Sequence, residues 1–97
     1  MALKVRWTQE AVNQLDGIIE YLELNWSHKE IKSFFRKLEE AVRSISEYPD
    51  RNKLSERKPG TREYQLTRHT TIFYDFDDAH VTILLLWQNM MDPKKLK

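Results

Sequence analysis

The chain has no cysteine, only two glycines and three prolines in 97 residues, and no apolar run long enough to cross a bilayer. Without cysteine there is no disulfide framework, no thiolate metal site and no thiol redox chemistry, and an intracellular, cytoplasmic location is the economical reading. The scarcity of glycine excludes a phosphate-binding glycine-rich loop, and no nucleophile elbow or Ser-His-Asp order is present. The three histidines, at 28, 69 and 80, show no ligand spacing, so no metal and no cofactor is expected. Met1 to Arg6 alternates apolar and basic residues, which reads as a strand and lacks the apolar stretch of a secretion signal.

What is present suits a small packed body. The chain is 40% hydrophobic and 32% charged, with three Trp, four Tyr and four Phe, which argues against disorder. A single domain over residues 1–97 is expected, burying about 60 to 65% of its unfolded surface. Net charge is only +1, mild for a nucleic-acid binder, yet Arg51, Lys53, Arg57, Lys58, Arg62 and Arg68 concentrate between residues 51 and 69.

Thr8 is placed to cap a helix in which Ala11, Leu15, Ile18, Ile19 and Leu22 form one apolar stripe. Asn25-Trp26 interrupts it, and Ser27-His28-Lys29-Glu30 is a capping box opening a second helix. There Ile31, Phe34, Phe35, Leu38, Val42 and Ile45 form the stripe, and Pro49 ends the helix after Tyr48. So short a joint makes the helices an antiparallel hairpin. Residues 49–61 read as a polar, solvated loop with a Pro59-Gly60 turn.

Three strand signals follow: Arg62-Glu63-Tyr64-Gln65-Leu66, Thr71-Ile72-Phe73-Tyr74-Asp75-Phe76, and Val81 to Trp87 after an Asp77-Asp78-Ala79 turn. The last run is apolar on both faces, as a central strand would be. The fold class is therefore α+β, with an N-terminal strand and a helical hairpin on a mostly antiparallel sheet of about four strands. Gln88 to Lys97 is a polar tail that crosses one face or edge of the sheet.

The basic zone with Tyr64, His69 and Tyr74 interleaved has the residue types an RNA-cleaving site uses: cations for phosphate, an aromatic to stack a base, and a group to take the 2′-hydroxyl proton. Arg62, Arg68 and His69 are the catalytic candidates. The alternative is ordinary surface cations beside aromatics packed in a sheet. His28 and His80 read as structural, and Asp75, Asp77 and Asp78 as turn residues. Trp26 either packs on its own helices or contacts a partner, and Trp87 belongs to the core.

The order of these elements, with the opening Val5-x-Trp7-Thr8-x-x-Ala11-x-x-x-Leu15-x-x-Ile18-x-x-Tyr21, resembles the RelE/ParE superfamily of toxins from bacterial toxin–antitoxin pairs, including plasmid stabilization proteins. The resemblance spans nearly the whole chain and is closer to the ParE-like members in the first helix and the long hairpin. It implies a toxin that binds a cellular target such as DNA gyrase and is neutralised by a cognate antitoxin, a flexible amphipathic segment that folds on binding. Ribonuclease members, which cleave messenger RNA on the ribosome, carry more basic residues on the second and third strands and after the last strand. Here Asn89-Met90-Met91-Asp92-Pro93 stands where relatives often read Asn-Arg-Gln-x-Pro, so Met90 replaces an arginine. A thioether cannot stabilise a phosphorane, which weakens the nuclease alternative. A degenerate, non-toxic antitoxin-binding module is the third reading. The chemistry requires no membrane, and a homodimer is left open.

Overall fold

A computed structural model describes residues 2–88. Strand β1 (Lys4–Trp7) leads into helices α1 (Gln9–Asn25) and α2 (His28–Glu47), followed by β2 (Arg62–Gln65), β3 (Thr70–Phe76) and β4 (His80–Gln88). The sheet order is β1-β4-β3-β2, with β1 parallel to β4 and the other pairs antiparallel. β4 is thus central, as its two-sided apolar run predicts. Gln88, assigned to the tail from the sequence, ends β4 opposite Thr70. The rest of that tail, with Met90, lies outside the described residues.

Both helices begin where their sequences say. The Thr8 hydroxyl accepts from the Ala11 amide at 3.0 Å. Ser27 and Glu30 form the reciprocal capping box. Only Trp26 and Ser27 separate the helices. Ala11, Ile18 and Leu22 of α1 and Phe34, Leu38, Ala41 and Ile45 of α2 are buried in one cluster with Ile72, Tyr74, Val81, Ile83 and Leu86 of the sheet. In α2, Phe35 is the exception to the stripe read from sequence. It follows Phe34 by 100° around the helix, so only one of the two rings can point at the sheet, and Phe35 is 37% exposed, edge-on to Phe34 at 6.0 Å. Ala41 takes its place in the core.

An irregularity in the β3–β4 pairing explains why the Val81–Trp87 run has no alternation. Tyr74 pairs with Ile83 and Phe73 with Leu85, so Leu84 is an extra residue and a bulge. Before it, Val81 and Ile83 face the helices; after it, Leu86 does, while Leu85 and Trp87 join Phe73 in a second cluster that contains no helix residue. Trp87 is core, as expected. β1 ends opposite Ile83, and α1 supplies the next partners of the β4 edge. The Thr8 amide donates to the Ile83 carbonyl at 3.0 Å, its hydroxyl donates to the Leu84 carbonyl at 2.8 Å, and the Leu86 amide donates to Gln14 Oε1 at 2.8 Å. The cap residue Thr8, through its amide and its hydroxyl, and the Gln14 side chain of α1 thereby satisfy the backbone groups that the bulge and the end of β1 leave open.

The segment 49–61 is less solvated than its composition suggests. Leu54 bridges to Arg62, the Glu63 amide donates to the Lys53 carbonyl, and the Ser55 amide to the Thr61 carbonyl, so the loop covers part of the outer edge of β2. Gly60, at φ 86°, with Pro59 before it, closes the turn in which the Thr61 amide reaches the Lys58 carbonyl.

Candidate functional site

The basic zone folds into two arrangements on opposite faces of β2. On the helix-facing side, the Arg62 guanidinium donates from Nη1 to the carbonyls of Asp50 and Asn52 and lies 5.7 Å over the Phe76 ring. Tyr74, opposite Arg62 in the register, is fully buried; its hydroxyl donates to the Pro49 carbonyl at 2.7 Å and accepts from Asn52 Nδ2 at 3.1 Å. Burial raises the Tyr74 phenol above its ordinary value. Arg62 and Tyr74 thus pin residues 49–52 to the sheet.

On the other side, Arg57 Nη2 donates to Glu63 Oε1 at 2.8 Å, and the Ser55 hydroxyl donates to Glu63 Oε2 at 2.6 Å. The Arg57 hydrogen bond is the main reason the Glu63 carboxyl lies below its ordinary range, with partial burial opposing it. The Arg57 guanidinium also lies 5.1 Å over the Phe73 ring, covering one end of the second cluster. Two of the cations that suggested phosphate binding therefore have partners between the loop and β2: Arg57 the Glu63 carboxylate, and Arg62 the loop carbonyls.

The three catalytic candidates do not come together. Arg62 starts β2, beside Phe76 at the β3–β4 hairpin end of the sheet, whereas Arg68 and His69 lie in the connection after Gln65. β2 alone separates the two ends by about 10 Å. His69 is exposed, and its amide donates to Thr67 Oγ1 at 3.2 Å. Nor is Tyr74 available to stack a base, since its ring is in the core, and Tyr64 is partly buried against the same cluster.

The acidic turn behaves as a turn. Asp77 Oδ1 accepts from the amides of Ala79 and His80, both at 2.8 Å, which lowers its carboxyl below the ordinary value. His80, read from sequence as structural, has Nδ1 3.9 Å from that same oxygen. Among the described residues no group of three acidic or histidine side chains could hold a metal ion, and no helix is long and apolar enough to cross a membrane.

The larger unpartnered feature is apolar. Tyr21, Leu24 and Trp26, at the end of α1 and the helical joint, are 49%, 79% and 45% exposed. Tyr48 is also exposed, with the Arg51 guanidinium 4.1 Å over its ring. Around it, Glu40, Arg43, Ser44 and Glu47 complete a shallow groove whose carboxylates and guanidiniums are equal in number. Such a groove offers no excess of charge to a small ion. Sequence reasoning raised only Trp26 of the exposed joint; the periodicity of α1 carried the remaining signal, because Leu24 falls off the apolar stripe.

The sequence model of the family described as "ParE toxin of type II toxin-antitoxin system, parDE" matches residues 5–93. No curated protein matches the chain. Among solved structures, the chromosomal ParDE toxin–antitoxin system from P. aeruginosa is similar with a TM-score of 0.73 and 19% identity over 90% of this chain and 96% of that one. The YoeB dimer from Staphylococcus aureus is similar with a TM-score of 0.61 and 17% identity, over 90% of this chain and 97% of that one. At these identities the two structures carry the fold alone.

Proposed function

The chain belongs to the ParE toxin family of type II toxin–antitoxin systems, and on that premise we propose that it arrests growth in the cytoplasm by binding a cellular target, DNA gyrase, and is neutralised by a cognate antitoxin. Such an activity requires shaped surface and no proton-transfer centre. The observation that carries this reading is the division of the basic zone: Arg62 holds loop carbonyls at one end of β2, while His69 stands at the other. A cleaving site needs its base and its phosphate-holding cations within hydrogen-bond reach of one reacting group. The exposed Tyr21, Leu24 and Trp26 supply apolar area of the kind protein partners bury. Similarity to a ParDE system supports pairing with an antitoxin.

The experiment is a gyrase supercoiling assay with the purified chain. Inhibition is expected, with supercoiling restored when the cognate antitoxin is added. Untouched gyrase together with cleavage of ribosome-bound messenger RNA would replace this reading with the nuclease one. Neither activity, with normal growth on expression alone, would leave a non-toxic antitoxin-binding module.

A further inference from the structure

The Glu63 carboxylate is held as a bound anion would be. Its Oε1 accepts from Arg57 Nη2 at 2.8 Å, and its Oε2 accepts from the Ser55 hydroxyl at 2.6 Å and from Arg57 Nε at 3.4 Å. A guanidinium that turns two N–H groups toward two oxygens is a fork that suits a phosphate as well as a carboxylate. The bonds from Arg57 and then Ser55, with the charge of Lys53 beyond them, hold the carboxyl below its ordinary range against the opposing effect of burial. The Glu63 side chain is 11% exposed and that of Arg57 41%, so the fork opens onto solvent.

The donors are set in place by contacts that do not use the Glu63 side chain. The Arg57 guanidinium rests 5.1 Å over the fully buried Phe73 ring. The Ser55 amide donates to the Thr61 carbonyl at 2.8 Å, and its hydroxyl oxygen accepts from the Lys58 amide at 3.0 Å, which leaves the hydroxyl proton for an anion. Lys53 is placed by its carbonyl, which accepts from the Glu63 amide at 3.2 Å. Without the carboxylate, a guanidinium fork, a hydroxyl donor and the Lys53 charge would remain around an empty position.

We propose that Ser55, Arg57 and Lys53 form a phosphate-binding cradle whose built-in occupant is Glu63, and that this carboxylate makes the surface refuse the phosphodiester backbone of nucleic acid. An anion tethered to the same sheet competes at a high effective concentration, and a phosphate that arrived beside it would meet its charge. Glu63 is therefore a specificity-determining residue. It silences the strongest anion-holding group of the 51–69 basic zone and leaves that surface to protein contacts. The inference goes beyond the toxin reading and stands without it.

The test uses the full chain and the fluorescence anisotropy of a short labelled single-stranded RNA, at low and high salt. Glu63→Ala empties the cradle, Glu56→Ala removes the same charge from an exposed position of the same loop, and R57A/E63A removes the fork as well. Glu63→Ala is expected to bind the RNA about tenfold more tightly than the parent at low salt, with a salt dependence steeper by about 0.7 in log–log slope for each phosphate engaged. Inorganic phosphate should release that RNA more effectively than chloride at equal ionic strength. Glu56→Ala is expected to stay within about twofold of the parent, and R57A/E63A to return to it. Glu63→Gln, nearly isosteric, guards against loss of the fold and should gain affinity in the same direction. No gain in a folded Glu63 variant, an equal gain in Glu56→Ala, or a gain that survives the loss of Arg57 would each overturn the proposal.

Discussion

Tyr74→Ala is expected to lower the free energy of unfolding by about 3 to 5 kcal/mol, the range for deleting a large buried aromatic. Tyr74 is the largest fully buried side chain, and it joins three things at once: the helices, the middle of the sheet, and the Pro49–Asn52 segment through its hydroxyl. The conservative change separates these roles. Tyr74→Phe keeps the ring and removes only the bonds to the Pro49 carbonyl and the Asn52 amide, at an expected cost of about 1 to 2 kcal/mol. A domain of this size has about 5 to 15 kcal/mol in all, so the alanine variant should melt well below the parent. Urea denaturation measures both. Equal losses for Phe and Ala would contradict the assignment of most of the energy to the ring.

The second large effect is expected where α1 meets β4. Thr8→Ala removes the helix cap, at about 0.5 to 2 kcal/mol, together with the hydrogen bond to the Leu84 carbonyl. Gln14→Leu leaves the Leu86 amide, whose residue is fully buried, without its acceptor, at about 1 to 3 kcal/mol. The double variant should lose about 3 to 5 kcal/mol, less than strictly additive if removing one contact loosens the other. The midpoint in urea should fall with an unchanged slope, since the native surface is little altered. A double variant within about 1 kcal/mol of the parent would show that water replaces these side chains at the bulge.

That junction marks the boundary between what the sequence discloses and what it hides. Thr8, Ser27 and Glu30 are legible because capping is a local act: the acceptor lies three residues from the amide it serves. The central place of β4 is legible because the run from Val81 to Trp87, interrupted only by Thr82, is apolar on both alternating faces, as a strand with neighbours on both sides allows. The bulge at Leu84 is not, since the unbroken apolar stretch from Ile83 to Trp87 carries no mark of the point where alternation resets. Gln14 looks like any solvent-facing residue of α1, and its acceptor role depends on a strand 72 residues away. Phe35 fits the apolar period as well as Phe34, and only the position of the sheet decides between them.

The candidate site was less legible for a related reason. A cluster of cations in sequence gives charge but not direction. Arg62 and Arg57 turn inward, to carbonyls and to Glu63, because residues 49–61 fold back along β2, and that return path follows from long-range pairing such as Leu54 with Arg62.

On the proposed reading, outward surfaces, and not acid–base chemistry at the β2–β3 connection, arrest growth. His69→Ala separates the two, because the imidazole is exposed and its removal should leave the fold intact. Expressed without antitoxin, the variant is predicted to arrest growth as strongly as the parent and to inhibit gyrase equally. Loss of arrest by a folded His69→Ala protein, with activity down by the ~10²- to 10⁴-fold that removal of a general base costs, would contradict the claim.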